Sequence, residues 1–351
     1  MKRFDFIQPA TVADALKAWH PGAAWLGGGT NLLDLMKGGV MQPDTVIDIN
    51  RLADLRGIST LDEGSVRIGA LVSNADLAHD ADFARDFPMV AEALLSGASG
   101  QLRNAATVAG NLMQRTRCAY FQDTTAACNR RAPGTGCDAR GGVDSHTAVL
   151  GFSDGCITTH PSDFCVPLAA LDAVVEVQGR DGARDIALRD FHLLPGEAPE
   201  RETALRPGEI IVALRLPAEA KGFAGHSRYL KVRDRTSYAF ATTSGAAALR
   251  IEGGVIAEAR LSLGAVAAKP WRVTEAEALL VGHAPDAAPF DQAAERALEG
   301  AAPSHDNAWK ITLARRTAIR ALELAAAGTP ARVPALPASP FADQDGDHAH
   351  V

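Results

Sequence analysis

Apolar residues recur with helical spacing at Val12, Ala15, Leu16 and Trp19, which predicts a helix across residues 10–19. A short apolar run at 24–26 stops at Gly27, Gly28 and Gly29, and helical spacing resumes over 32–37. The runs at 45–49 (TVIDI) and 65–68 predict strands, and those at 74–79 and 89–96 predict helices. Residues 103–111, RNAATVAGN, predict a second loop of small residues. The segment 113–160 then follows neither period, and an irregular stretch of that length inside a compact domain points to function or to a bound prosthetic group. Residues 166–177 predict a short helix and then a strand.

The pattern changes near Gly222. Residues 227–232, 244–251 and 257–265 predict sheet strands, with Gly253-Gly254 as a hairpin turn. Residues 273–280 predict a helix. A last helix is expected to be capped by Asp306, to bury Ile311, Ala314, Ala318, Ala321, Leu322 and Ala325 on one face, and to close at Gly328 before Pro330. The tail, 329–351, carries four prolines and predicts disorder or an arm laid on a partner. No internal repeat is present.

Charge and composition narrow the function classes. The 351 residues carry a net charge of −7, against a nucleic-acid binder, which presents a basic face. No run approaches the ~18 consecutive apolar residues of a membrane span. The first nine residues hold charges and a proline where an export signal needs an apolar core, so the expected location is cytoplasmic, or periplasmic by co-export with a signal-bearing partner.

Two loops and one cysteine group carry the candidate chemistry. LGGGTNLL follows a strand and opens a helix, and glycines there let backbone N–H groups approach a phosphate closely, with Thr30 and Asn31 as further donors. It matches neither a Walker motif nor G-x-G-x-x-G, so a plain tight turn stays open as the alternative. Thr107, Val108, Ala109, Gly110 and Asn111 repeat the chemistry, and two such loops suit a diphosphate gripped from two sides. Four of the five cysteines, Cys118, Cys128, Cys137 and Cys156, fall in the irregular segment. Their intervening lengths of nine, eight and eighteen residues match neither zinc pairs nor ferredoxin runs, but four thiolates is the usual ligand number for a [4Fe–4S] cluster. Incidental free thiols remain the alternative. Cys165, in FCVPLAAL, reads as a small buried hydrophobe. His160 reads as structural or close to a cofactor. Arg115, Arg117, Arg130 and Arg131 are expected to face solvent or a partner, or to offset the charge of a thiolate-ligated cluster.

The stretches FDFIQPATVADAL, LGGGTNLLDLMK, IGALVSNADL, RNAATVAGNL, THPSDFCVPLAALDA, YLKVRDRTSYAFA, LGAVAAKPWR and DNAWKITLARR follow one another over nearly the whole chain. In order and spacing the chain resembles the FAD-binding medium subunit of the molybdenum hydroxylases, the xanthine dehydrogenase and carbon monoxide dehydrogenase group. The resemblance implies an α+β fold: a two-part FAD-binding domain of the vanillyl-alcohol-oxidase type over 1–220 (subdomains about 1–55 and 56–220), an inserted iron–sulfur loop at 113–160, and an α+β C-terminal domain over 221–328 with an antiparallel sheet plus helices. It implies that Leu26, Gly27, Gly28, Gly29, Thr30, Asn31 and Leu32 hold the FAD diphosphate from one side and Thr107, Gly110 and Asn111 from the other. Ser162 and Asp163 would bond ribityl or ribose hydroxyls, and Lys231 and Tyr238 would lie near the flavin. Ala109 stands where many members have glycine, which requires a negative φ there.

RCAYFQDTTAACNRRAPGTGC and SDGCITTHPSD resemble members whose inserted loop carries a [4Fe–4S] cluster, closest to the flavin subunit of bacterial aldehyde oxidoreductases of the periplasmic type. By that likeness Cys118, Cys128, Cys137 and Cys156 are the ligands. The implied function is an electron-transfer subunit of a heterotrimeric molybdenum aldehyde oxidoreductase. A molybdopterin-binding large subunit and a [2Fe–2S] small subunit deliver electrons, and FAD passes them to an external acceptor. No catalytic acid, base or nucleophile is then required in this chain. A xanthine dehydrogenase or 4-hydroxybenzoyl-CoA reductase type complex is the alternative, followed by a stand-alone flavin oxidoreductase or a scaffold.

Overall fold

The computed structural model describes residues 1–331; the proline-rich tail expected from sequence lies almost wholly outside the described residues. Among the described residues, twelve strands form three sheets. β1 (Asp5–Ile7), β2 (Ala23–Leu26) and β3 (Thr45–Asp48) make a parallel sheet in the order β1-β3-β2. The run TVID suits the central place, because a strand covered on both faces buries every residue, and all four of β3 are buried. β4 (Ile58–Thr60), β5 (Val66–Gly69), β6 (Val174–Gly179), β7 (Gly182–Ala187) and β8 (Ile210–Leu216) form an antiparallel sheet in the order β4-β5-β8-β6-β7.

β9 (Ser227–Val232), β10 (Thr243–Glu252), β11 (Val255–Gly264) and β12 (Trp271–Arg272) form the third sheet, in the order β12-β11-β10-β9. Gly253 and Gly254 turn its central hairpin with φ of +59° and +83°, the conformation such a two-residue loop needs. The helix Ala308–Ala326 covers this sheet with Ala314, Ala318, Ala321, Leu322 and Ala325 buried, and Ile311 half-buried at its edge. The large core beneath the first two sheets and the separate core beneath the third are each continuous, and together they carry the mixed α+β architecture expected from the sequence.

Two local expectations fail for physical reasons. RNAATVAGN is not one loop. The helix Gly100–Ala105 ends there and the helix Val108–Leu112 begins, with the Thr107 hydroxyl accepting Gly110 N–H as the cap. Ala109 lies inside that short helix and has no positive φ, which answers the question its methyl raised. Asp306 does not cap the last helix. Asn307 holds the cap position without a capping bond, because its Oδ1 accepts Ser304 N–H at 2.8 Å and its Nδ2 donates to Ala148 O at 3.2 Å.

The segment 113–160 is irregular, as its sequence predicts, with one short helix, Ala119–Gln122. It is nevertheless fixed at both ends and in the middle. Phe121 and Cys128 pack on Leu35 of the helix Leu32–Lys37. Arg131 Nη1 donates to Tyr120 O and Phe121 O, each at 2.8 Å. The buried Lys310 donates from the last helix to His146 O and Thr147 O, both at 2.8 Å.

Candidate cofactor site

The first glycine loop leaves β2 at its C-terminal end. Gly29 has φ +74°, a conformation open to glycine. Gly28 is required for a different reason: a Cβ there would overlap Ala105 O, so the first loop is pressed against the end of the helix Gly100–Ala105. Gly27 faces Thr107 Oγ1, and a Cβ on Gly110 would lie 2.9 Å from the same oxygen. The two small-residue motifs are therefore in mutual contact, and small side chains are what permits the approach.

Two cavities meet at this contact. One, of about 480 Å³, is lined by Trp25, the first glycine loop, Leu32, Thr107, Leu205, Ile211 and the paired rings of His160 and His192. The other, of about 710 Å³, is lined by Asn74, Arg103, Asn111, Asp163, Lys231 and Tyr238, among others. Thr30, Asn31, Gly110 and Gln114 line both. At the junction Asn31 Oδ1 accepts Arg115 N–H at 3.0 Å, which leaves its buried Nδ2 as a donor with no protein partner. A buried donor without a partner, between two glycine-lined walls, is the chemistry that an anionic group satisfies.

Of the residues expected from sequence, Gly27, Gly28, Gly29, Thr30, Asn31, Leu32, Thr107, Gly110, Asn111, Asp163, Lys231 and Tyr238 line one or both cavities. Leu26 and Ser162 line neither. Ser162 acts one step back: its hydroxyl donates to Asn111 Oδ1 at 2.7 Å and accepts Cys165 N–H at 3.2 Å. Asp163 is engaged by protein at both oxygens, Oδ1 by Tyr229 Oη at 2.6 Å and Oδ2 by Lys231 Nζ at 2.8 Å. Tyr238 is exposed, with a left-handed φ of +53°.

The histidine pair was only half legible in the sequence. The His160 and His192 rings are in contact, tilted 56° to each other with centroids 4.2 Å apart. Burial pushes His192 down to about 4 and His160 well below its ordinary value, so both are neutral near pH 7. His160 Nδ1 accepts Ser162 N–H at 3.3 Å, which puts the proton on Nε2, a buried donor without a protein partner. His192 Nε2 donates to Leu112 O at 2.9 Å, so its Nδ1 is a bare acceptor. Nothing in the sequence around His192 marks it; it arrives from a distant loop.

Cys118, Cys128, Cys137 and Cys156 line a third, small cavity of about 10 Å³. Short bridges pair Cys128 with Cys137 and Ser153 with Cys156, which brings separated stretches of the segment together. No three of the four sulfurs lie within 4.8 Å of one another. Burial pushes the Cys118 thiol up, and the amides of Phe121 and Tyr120 oppose it; burial likewise raises Cys137, against the amides of Arg140, Ala139 and Ile157. Those amides are ready donors to thiolate sulfur. Cys165 lies apart, fully buried, its thiol pushed up to about 12 by burial.

The basic residues depart from expectation. Arg130 is buried, not solvent-facing, with Nη1 3.0 Å from Glu202 Oε2. Arg115 Nε donates to the same carboxylate, at Oε1, at 2.6 Å. Arg131 is spent on backbone carbonyls, and the half-buried Arg117 lies over the Phe240 ring at 4.9 Å.

Comparison with known proteins agrees with this anatomy. Residues 2–219 match the FAD binding domain in molybdopterin dehydrogenase, and residues 228–325 match the CO dehydrogenase flavoprotein C-terminal domain. The chain is 49% identical over 321 residues to the aldehyde oxidoreductase FAD-binding subunit of Escherichia coli, covering 90% of this chain and 96% of that one. It is 29% identical over 279 residues to a xanthine dehydrogenase FAD-binding subunit of Escherichia coli, covering 78% and 79%. A solved chain of the reconstituted CO dehydrogenase from Oligotropha carboxidovorans superposes with a TM-score of 0.73 at 26% identity, covering 94% of this chain and 100% of that one. The chain belongs to the FAD-binding subunits of the molybdenum hydroxylases, as an oxidoreductase subunit of the aldehyde oxidoreductase family.

Proposed function

We propose that this chain is the electron-transfer subunit of a heterotrimeric molybdenum aldehyde oxidoreductase, and that it holds both FAD and a [4Fe–4S] cluster. Electrons taken from an aldehyde at a molybdopterin-binding large subunit pass through a [2Fe–2S] small subunit to this chain and leave to an external acceptor. The observation that carries the reading is the gathering of four separated cysteines, two buried and two half-buried, around one cavity beside the glycine-loop cavities. The identity of 49% to an aldehyde oxidoreductase subunit favours the aldehyde branch.

In this reading residues 1–220 are the FAD-binding domain, with 113–160 as the cluster-bearing insert, and 221–328 are the C-terminal domain. The two glycine loops, with Asn31 Nδ2 and the cap of Thr107, grip the diphosphate where the two cavities meet. One half of the dinucleotide then enters each cavity, and the flavin lies on the side of Lys231 and Tyr238. When bound, FAD exchanges two electrons and the cluster one at a time, which suits a junction between relay and acceptor. The protein's own part is to bind, orient and exclude water. Asp163 anchors Lys231 in the wall of the second cavity, and Ser162 aims Asn111. His160 and His192 present one donor and one acceptor without adding charge.

The test is iron, labile sulfide and flavin content per chain, with an EPR spectrum after dithionite, on this subunit co-expressed with its partners and then separated from them anaerobically. About one flavin and four irons in this subunit support the reading. Flavin without iron would keep the FAD assignment and sink the cluster.

A further inference from the structure

Among the described residues Arg130 alone lines both the cysteine cavity and the glycine-loop cavity. Its side chain is 4% exposed. Nη1 pairs with Glu202, while Nε and Nη2 have no hydrogen-bond partner. Glu202 is shared with Arg115, so two guanidiniums meet one carboxylate and a unit of positive charge is left over in a largely buried place. Arg130 and Cys156 line the same cysteine cavity. A buried guanidinium with two idle donors is costly unless an anion lies within reach. Four thiolates around an iron–sulfur core supply negative charge on one side of Arg130, and a nucleotide diphosphate supplies it on the other. Arg115 ties the same network to the first glycine loop, since its backbone N–H is the donor to Asn31 Oδ1.

We propose that Arg130, aimed by Glu202, is a positioning residue that couples the cysteine-bound cluster to the nucleotide cavity. It offsets the cluster's negative charge from behind Cys156 and at the same time forms the wall against which FAD lies. The inference rests on the cluster reading above. Two consequences follow. Removing the positive charge makes one-electron reduction of the cluster harder, because the added electron loses its nearby cation. Cluster occupancy and FAD retention also change each other by the same factor, since a coupling between two sites is reciprocal.

The experiment uses the assembled complex, purified anaerobically, with Arg130→Gln, Arg130→Lys and Glu202→Gln. An EPR-monitored redox titration reads the cluster, and FAD per chain after gel filtration reads the cavity. Arg130→Gln is expected to lower the cluster potential by at least a tenfold shift in its reduction equilibrium, ~59 mV for one electron, and to lose most of its FAD. Arg130→Lys restores the potential, as it keeps the charge. Glu202→Gln shifts the potential the opposite way, because the two guanidiniums are then unopposed. General damage to the fold would move both variants in one direction. Wild type with four irons, but with an unchanged potential and full FAD in Arg130→Gln, overturns the coupling and leaves the cluster intact. Shifts of the same sign in Arg130→Gln and Glu202→Gln overturn it as well. Wild-type subunit that carries no iron after anaerobic separation from its partners sinks the cluster reading, and the coupling with it.

Discussion

Lys231 Nζ lies 2.8 Å from Asp163 Oδ2, and this nearly buried ion pair joins the third sheet to the wall of the second cavity. Both partners have further bonds: Tyr229 Oη donates to Asp163 Oδ1, and Lys231 reaches Ser96 O at 3.3 Å. A pair so placed has weak net worth against an apolar replacement, but either half left alone is a buried, unmatched charge. Lys231→Met alone and Asp163→Asn alone are each expected to lower unfolding stability by about 3–5 kcal/mol. The double variant should lose less than the sum of the two. Additive losses in a thermal-unfolding cycle would show that the two residues do not act as a pair.

Gly28 presses on Ala105 O, so the two glycine loops are spaced by the absence of one methyl group. Gly28→Ala is therefore expected to cost most of the bound FAD, with no need of a larger side chain. Gly100→Ala is the control, since a Cβ at Gly100 meets nothing within 4 Å. Flavin absorbance per chain after gel filtration reads both. Full occupancy in Gly28→Ala would remove the diphosphate from this junction.

The parts of the molecule that were legible in sequence are those with a local signal. The helices Leu32–Lys37 and Asn74–His79 fall where apolar spacing puts them, and β3 is an unbroken buried run. The gathering of the glycine loops was legible because small residues leave few other reasons for their presence. Arg130 was not. It sits in a segment with no period, and its burial is decided by Glu202, which comes from a distant stretch of chain. The cap at Thr107 had a signal that could have been read, a hydroxyl three residues before Gly110 N–H, but the run of small residues looks equally like a loop. Asp306 failed as a cap because Asn307 is drawn towards Ser304 and Ala148, a tertiary pull that no local rule contains.

Cys128 and Cys165 separate the cluster reading from simple burial, since both are buried and only one lines the cysteine cavity. Cys128→Ser is expected to abolish the cluster signal and most of the iron. Cys165→Ser should keep both, since Cys165 lies outside the cysteine cavity and its sulfur sits beside the His160 and His192 rings. Iron analysis and thermal unfolding of the two variants check this. Equal iron loss in both would mean that the ligand set is wrong.

Lys310 is fully buried on the last helix, has no acidic partner, and is pushed down by burial to about 7. Its two bonds, to His146 O and Thr147 O, need only donors, and a neutral amine supplies them. The sign of its pH effect follows from linkage. The unfolded chain takes up the lysine proton below ~10.4, whereas the folded chain does so only below about 7. Between those limits the unfolded state binds more protons, so stability rises with pH across that window and is lost as pH falls through it. The full span is of order 5 kcal/mol, from the conversion of ~1.4 kcal/mol per pH unit. Denaturant unfolding of wild type and Lys310→Met at pH 7, 8 and 9 isolates the term, because other titrating groups cancel in the difference. The variant loses both donors and should be less stable throughout, with a gap that widens as pH rises. A gap independent of pH would mean that Lys310 stays protonated in the folded chain and clamps the cysteine-bearing segment as a cation.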